Sequence, residues 1–348
     1  MVKICWKEYM NKRLSWIDNA RGLGIILVVY GHVLDGLVNT GLNLNKMFYH
    51  ISYGVVYGFH MPLFFFLSGF FAERWITKDF KSAIGDKIKI ILYPYIIWSA
   101  IQSVFKIMVA NLTNTKMQWA DLLKVFYDPI GQFWFLYALF FIFLIYYLLR
   151  KKINLVQLAI ISVILYFIPY FYPALTKNAL IIARIMHEFI YFAAGALFAT
   201  KINYEPIIEK LYKTRYFIFS FFSFVLSNIL YLSFSSKLND AFNAALQFII
   251  AVIGIIFIIS LSCRIERYKI SGFINYLGIL SIVIYSAHII SMSSTRIILL
   301  KLLHVDNLFI HGIVGTVAGI MLPVMFYLII KKFALVPIFF GKNIERVK

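Results

Sequence analysis

Cysteine, acidic residues and cofactor motifs are scarce or missing in this chain. Only Cys5 and Cys263 occur. By the layout below both lie near the cytoplasm, where thiols stay reduced, so no disulfide is expected. There is no GxxxxGK[ST], no HExxH and no cysteine cluster, so no metal site is expected. No cleavable signal peptide is expected, because residues 1–18 are mixed polar and no small-residue cleavage site accompanies the first apolar run. Long linkers, low-complexity stretches and internal repeats are absent as well. Only 14% of residues are charged, against roughly 25% in soluble domains. Fifteen acidic residues against 34 basic ones give a net charge of +19. In a soluble protein that surplus would point to nucleic acid. Here the bases flank apolar runs instead of forming a patch, and no nucleic-acid partner is expected.

What is abundant is apolar surface: 62% of residues are hydrophobic, with a mean hydropathy of +0.83. The apolar residues fall in runs of about 20, the length that spans a bilayer core. The expected fold is all-α, a polytopic membrane bundle of about ten transmembrane helices. The spans are placed near 20–38, 51–72, 88–109, 131–149, 153–172, 179–200, 215–234, 241–262, 273–292 and 308–330. The basic residues test this layout. Twenty-four of the 34 fall at the N-terminus, the C-terminus and the even-numbered connections, and seven in the others. Basic residues mark the cytoplasmic side, so both termini are expected in the cytoplasm.

Three basic residues remain within spans: Arg21, Lys106 and Arg184. Intramembrane ionisable groups are costly and face cavities or partners. In the first helix Asp18, Arg21, His32 and Asp35 fall within about 100° of one another, with His32 about 16 Å deeper than Arg21. The stripe ends in an imidazole with a carboxylate one turn on, a sound general base whose charged form Asp35 would stabilise. Gly22, Gly24 and Gly31 would admit a close neighbour. In the second helix His60 falls at the level of His32, and Pro62 opens the helix beside it. Arg184, His187 and Glu188 share one face of the sixth helix. Tyr285 and His288 lie in the ninth.

Each of these residues also has a plainer reading. Asp18 and Arg21 end a helix at the lipid head groups, with Arg21 snorkelling. His32 is a buried structural histidine. Ser68-Gly69, ahead of Arg74, serves close packing. Trp134 is an interfacial anchor. Arg184, His187 and Glu188 make an internal salt bridge.

Six patterns in order resemble the acyltransferase-3 family of integral membrane acyltransferases. They are Arg13, Asp18, Arg21-Gly22 and His32; Phe65 to Phe70; Lys89 to Tyr95; Trp134 to Leu136; Phe192 to Gly195; and Leu277, Gly278, Ser281, Tyr285 and His288. The resemblance implies modification of a surface polysaccharide or lipid-linked sugar in a bacterial cytoplasmic membrane, with acetyl-CoA as the usual donor. It implies essential roles for the first-helix arginine and histidine, here Arg21 and His32. It is closest to the stand-alone fucose O-acetylase-like and intercellular-adhesin acyltransferase-like members. So a single membrane domain over 1–348 is expected, without a fused SGNH domain. The combined reading is an O-acyltransferase embedded in the bilayer, working alone or with glycan synthesis machinery. His32, oriented by Asp35, takes the hydroxyl proton and Arg21 holds the acyl-CoA. Asp18, His60, Ser68, Arg74, Trp134, Arg184, His187, Glu188, Tyr285 and His288 line the substrates. No bound cofactor is expected beyond the acyl-CoA. The rivals are a glycan transporter or flippase using the same charges, and a scaffold for a synthase complex.

Overall fold

The computed structural model describes residues 14–344 apart from 39, 41, 43, 110–117, 176–178 and 236–237. Cys5 and the basic residues Lys3, Lys7, Lys12, Arg13, Lys116, Lys177, Lys237, Arg346 and Lys348 lie outside the described residues. Among the described residues the chain is all-helical. The helices are α1 (Ser15–Leu37), α2 (Lys46–Tyr57), α3 (His60–Gly69), α4 (Glu73–Ile76), α5 (Phe80–Lys87), α6 (Tyr93–Met108), α7 (Trp134–Arg150) and α8 (Leu155–Phe171). They continue with α9 (Leu180–Thr200), α10 (Tyr204–Leu211), α11 (Thr214–Phe234), α12 (Asp240–Arg267), α13 (Gly272–Ile279), α14 (Ser281–Ile297), α15 (Leu308–Lys332) and α16 (Val336–Phe340).

Nine helical runs among the described residues are long and apolar enough to cross a membrane. The expected span that is not among them, 153–172, corresponds to α8. With 17 residues it falls short of that length and sits at the lower limit for a bilayer-spanning helix. Asn154 and Gln157 cap its start reciprocally, which fixes where it begins.

Several spans are built from pieces, and at two of the joins a proline follows. The second run breaks at Gly58–Phe59, so Pro62 falls in the first turn of α3, where a missing N–H costs nothing. At the break the Val56 carbonyl accepts from the His60 ring (2.7 Å). Ahead of Pro94 the backbone widens into a π-helical turn over Ile88–Leu92, the local adjustment a proline in a helix imposes.

Glycine sets the tightest helix contacts. A Cβ at Gly22 would land on the Ile274 carbonyl, and one at Gly278 on the Asp18 carbonyl, so α1 and α13 touch backbone to backbone. Gly69 and Gly195 make the same reciprocal contact between α3 and α9. Small residues are what permit such approach between membrane helices. At the periphery, α11 turns Phe219, Phe222, Leu226 and Ile229 outward, the apolar side a lipid-facing helix needs.

Cross-helix contacts sort the helix ends. Arg150 of α7 pairs with Glu73 of α4 (2.9 Å), Asn275 of α13 bonds Ser15 of α1 (3.4 Å), Arg267 of α12 bonds the Tyr212 carbonyl (3.0 Å), and Tyr93 of α6 bonds the Ile338 carbonyl of α16 (2.8 Å). These are the ends that carry the basic connections. At the other end Arg296 of α14 bonds the Gly36 carbonyl, and Tyr49 bonds Asp35 (3.2 Å).

Candidate active site

Three histidines from three helices converge. His32 of α1 lies 5.2 Å, centroid to centroid, from His288 of α14. Tyr57, at the end of α2, sits edge-on to both His32 (6.1 Å) and His60 (4.7 Å). Its hydroxyl is 3.4 Å from His32 Nδ1. His60 and His288 are buried, while His32 is partly exposed. Two of the tautomers are fixed by their partners. His60 Nδ1 faces the Val56 carbonyl, and His288 Nδ1 faces the carbonyls of Tyr285 (2.7 Å) and Ile284 (3.1 Å). A carbonyl only accepts, so each neutral ring carries its proton on Nδ1 and presents Nε2 as an acceptor.

Tyr285 joins this cluster to a second region. Its ring lies 6.0 Å from His288, and its hydroxyl donates to the Gln132 carbonyl. Gln132 is held by the buried Gln102 through two amide hydrogen bonds (3.2 and 2.6 Å). Tyr285 also lines a cavity of about 160 Å³ whose wall includes Arg21, Ser68, Phe135 and Ser281. Ser68 therefore faces the cavity, while its neighbour Gly69 makes the close helix contact that the plainer reading assigned to both.

Around Arg21 the charges gather. Asp18 is 3.8 Å from its guanidinium. Arg21 and Arg74 lie over the same Phe71 ring at 5.4 and 4.2 Å. Cation–π contact of this kind lets two like charges share one wall.

Arg184 of α9 stacks on Trp134 (4.6 Å) and is within electrostatic reach of Glu188, Tyr285, Tyr53 and Asp128. Trp134 thus carries a guanidinium and is more than an interfacial anchor. The expected grouping of Arg184, His187 and Glu188 divides. His187 turns into an aromatic box, 4.5 Å from Tyr166 and 6.2 Å from Tyr170. Glu188 lies between the two, 3.5 Å from His187. Residues one turn apart share a helix face but not a neighbour, because α8 packs on one flank of α9.

Asp35 departs from expectation as well. It is exposed and accepts from Tyr49 (3.2 Å) instead of orienting His32. Three residues along a helix leave about 60° between two side chains, and the His32 ring turns inward to Tyr57 and His288. What connects them is a column of tyrosines that the sequence reading missed. Tyr49, Tyr53 and Tyr57 stack along α2 at 5.3 and 3.9 Å, from Asp35 to His32. Their i, i+4, i+8 spacing was the available signal. Gln102 was missed too, as a single polar residue in an apolar stretch. Among the described residues no group of three or more His, Cys, Asp or Glu is arranged to hold a metal.

Comparison with known proteins bears on this constellation. The chain is similar to the nodulation protein NolL of Mesorhizobium japonicum, 27% identical over 204 residues, or 58% of this chain and 52% of that protein. It is also similar to the nodulation protein NolL of Sinorhizobium fredii, 32% identical over 136 residues, or 39% of this chain and 36% of that protein. The matches thus span about half or less of those relatives' length. No solved structure matches the chain. A family model described as an acyltransferase domain matches residues 14–329. That interval contains every residue of the histidine cluster and of the cavity, Arg21 included, and the chain belongs to the acyltransferase-3 family of integral membrane acyltransferases.

Proposed function

We propose that this protein is an O-acyltransferase of the bacterial cytoplasmic membrane. It moves an acyl group, acetyl first among them, from a CoA thioester to a hydroxyl of a surface polysaccharide or lipid-linked sugar. The observation that carries this reading is the shared cavity: Arg21 and Tyr285 line one space, and Tyr285 leads to His288 and His32. A donor with an anionic head and a thin reactive arm matches that layout. Its phosphates sit at Arg21, where a guanidinium binds them bidentately. Its pantetheine passes Ser68, and its thioester reaches the imidazoles. The acceptor approaches from the Asp35, Tyr49 and Arg184 side. In this reading both termini and the Arg21 end face the cytoplasm, residues 1–348 act as one domain, and glycan synthesis machinery supplies the acceptor.

The test is purified protein in nanodiscs with radiolabelled acetyl-CoA. Release of CoA with transfer or hydrolysis of the acetyl group is expected, and it excludes a pure transporter or scaffold. Arg21→Lys keeps the charge but loses the fork, so donor binding weakens while the chemical step survives. No turnover by the wild type with acetyl-CoA or succinyl-CoA, alongside turnover with a non-CoA donor, overturns the donor assignment.

A further inference from the structure

The site holds two imidazoles within contact of each other, and acyl transfer to a hydroxyl needs two different services from them. One group must take the hydroxyl proton. Another must hold the thioester carbonyl as negative charge develops on its oxygen. The surroundings of the two rings differ in ways that separate these services.

His288 is fully buried. Its Nδ1 is held by two carbonyls of its own helix, those of Ile284 and Tyr285. Its Nε2 is buried without a hydrogen-bond partner. A neutral imidazole bound in this way has its lone pair fixed on Nε2. When Nε2 takes a proton, the positive charge is met by two carbonyl dipoles already in place, so nothing has to reorganise. His32 has no such support. The carboxylate that would have steadied its charged form, Asp35, is engaged by Tyr49. The group that His32 does meet is the Tyr57 hydroxyl, at Nδ1. With that hydroxyl donating, the His32 proton sits on Nε2, and the ring becomes a donor.

We propose that His288 is the general base of this enzyme and that His32 is the hydrogen-bond donor to the thioester carbonyl, its tautomer set by Tyr57. The inference rests on the acyl-CoA reading above. The hydroxyl oxygen attacks the thioester carbon as its proton passes to His288 Nε2. The carbonyl π pair moves to oxygen, which accepts from His32 Nε2–H. The pair returns, the C–S bond breaks, and the His288 proton passes to sulfur, giving the ester and free CoA thiol. Protons and electrons balance without another reactant.

Two nucleophiles separate base from donor without knowledge of the natural acceptor. Water needs a base to attack a thioester. Hydroxylamine does not, because its nitrogen is already nucleophilic when neutral. The experiment follows single-turnover consumption of radiolabelled acetyl-CoA in nanodiscs with water alone and with hydroxylamine, for wild type, His288→Gln, His32→Gln and Tyr57→Phe. Binding of a non-reactive dethia analogue of acetyl-CoA checks that each variant is folded. His288→Gln should lose about 10²–10⁴-fold with water and stay within about tenfold of wild type with hydroxylamine. His32→Gln keeps an N–H donor and should slow both nucleophiles alike, by about tenfold or less, against the roughly 10²–10³-fold that removal of such a donor costs. Tyr57→Phe should also slow both alike. If His32→Gln is instead the variant whose defect hydroxylamine bypasses, the base is His32 and the assignment is overturned. Equal loss of both nucleophiles in His288→Gln, or water attack at the wild-type rate, overturns it too. A wild type inert toward both nucleophiles sinks the acyl-CoA reading itself, which is distinct from any variant result.

Discussion

The two ends of α1 carry one basic and one acidic residue on the same stripe, yet they are built differently. At the Arg21 end the helix is locked by backbone contact. Gly22 meets Ile274, Gly278 meets Asp18, and neither pair leaves room for a Cβ. Arg21 is held between Asp18 and Phe71 on the wall of a cavity. At the other end Asp35 is exposed, with one tyrosine hydroxyl as its partner. The contrast shows that shared helical phase brings residues to one side of a helix, and that the packing of neighbouring helices decides which of them becomes part of a site. Rigid walls position groups to within the tolerances that chemistry needs. An exposed pair contributes little.

The largest effect should come from the locked end. Gly278→Val places a branched Cβ on the Asp18 carbonyl, and overpacking against backbone costs about 1–3 kcal/mol or more. The expected outcome is loss of the monodisperse peak in detergent and loss of activity in cells. Gly312→Ala has nothing within 4 Å of the added carbon and should leave both unchanged. Normal folding of Gly278→Val would mean that α1 and α13 are not in backbone contact.

The smallest effect should come from the exposed end. Asp35→Asn keeps an acceptor for Tyr49, so turnover should fall by about threefold or less, the scale of an exposed polar pair. A drop of about 10²-fold or more would restore Asp35 as the partner of the catalytic imidazole.

The fold was legible because apolar runs and the basic connections are constraints the bilayer imposes on sequence directly. The α8 helix was the marginal case, since Leu155–Phe171 has the composition of a span at the minimum length. Within the site, Arg21, His32, His60 and His288 could be singled out because an ionisable group inside a span is conspicuous. The partners of those groups could not. The pairing of His32 with His288 depends on how α14 crosses α1. The separation of His187 from Arg184 depends on α8 lying along α9. Tyr57 reaches His32 because Gly31 admits its ring. None of these follows from helical phase alone.

On the proposed function, the donor enters at the Arg21 end, from the cytoplasm, and reacts at the imidazole pair. Sealed vesicles of both orientations test this, with an impermeant maleimide on Lys116→Cys, in the connection between expected spans 88–109 and 131–149 on the side opposite the termini, to assign the exposed face. With radiolabelled acetyl-CoA outside, inside-out vesicles should consume the donor, and right-side-out vesicles should do so only after permeabilisation. Consumption by intact right-side-out vesicles, with Lys116→Cys labelled from the same side, would rule out donor entry from the cytoplasm.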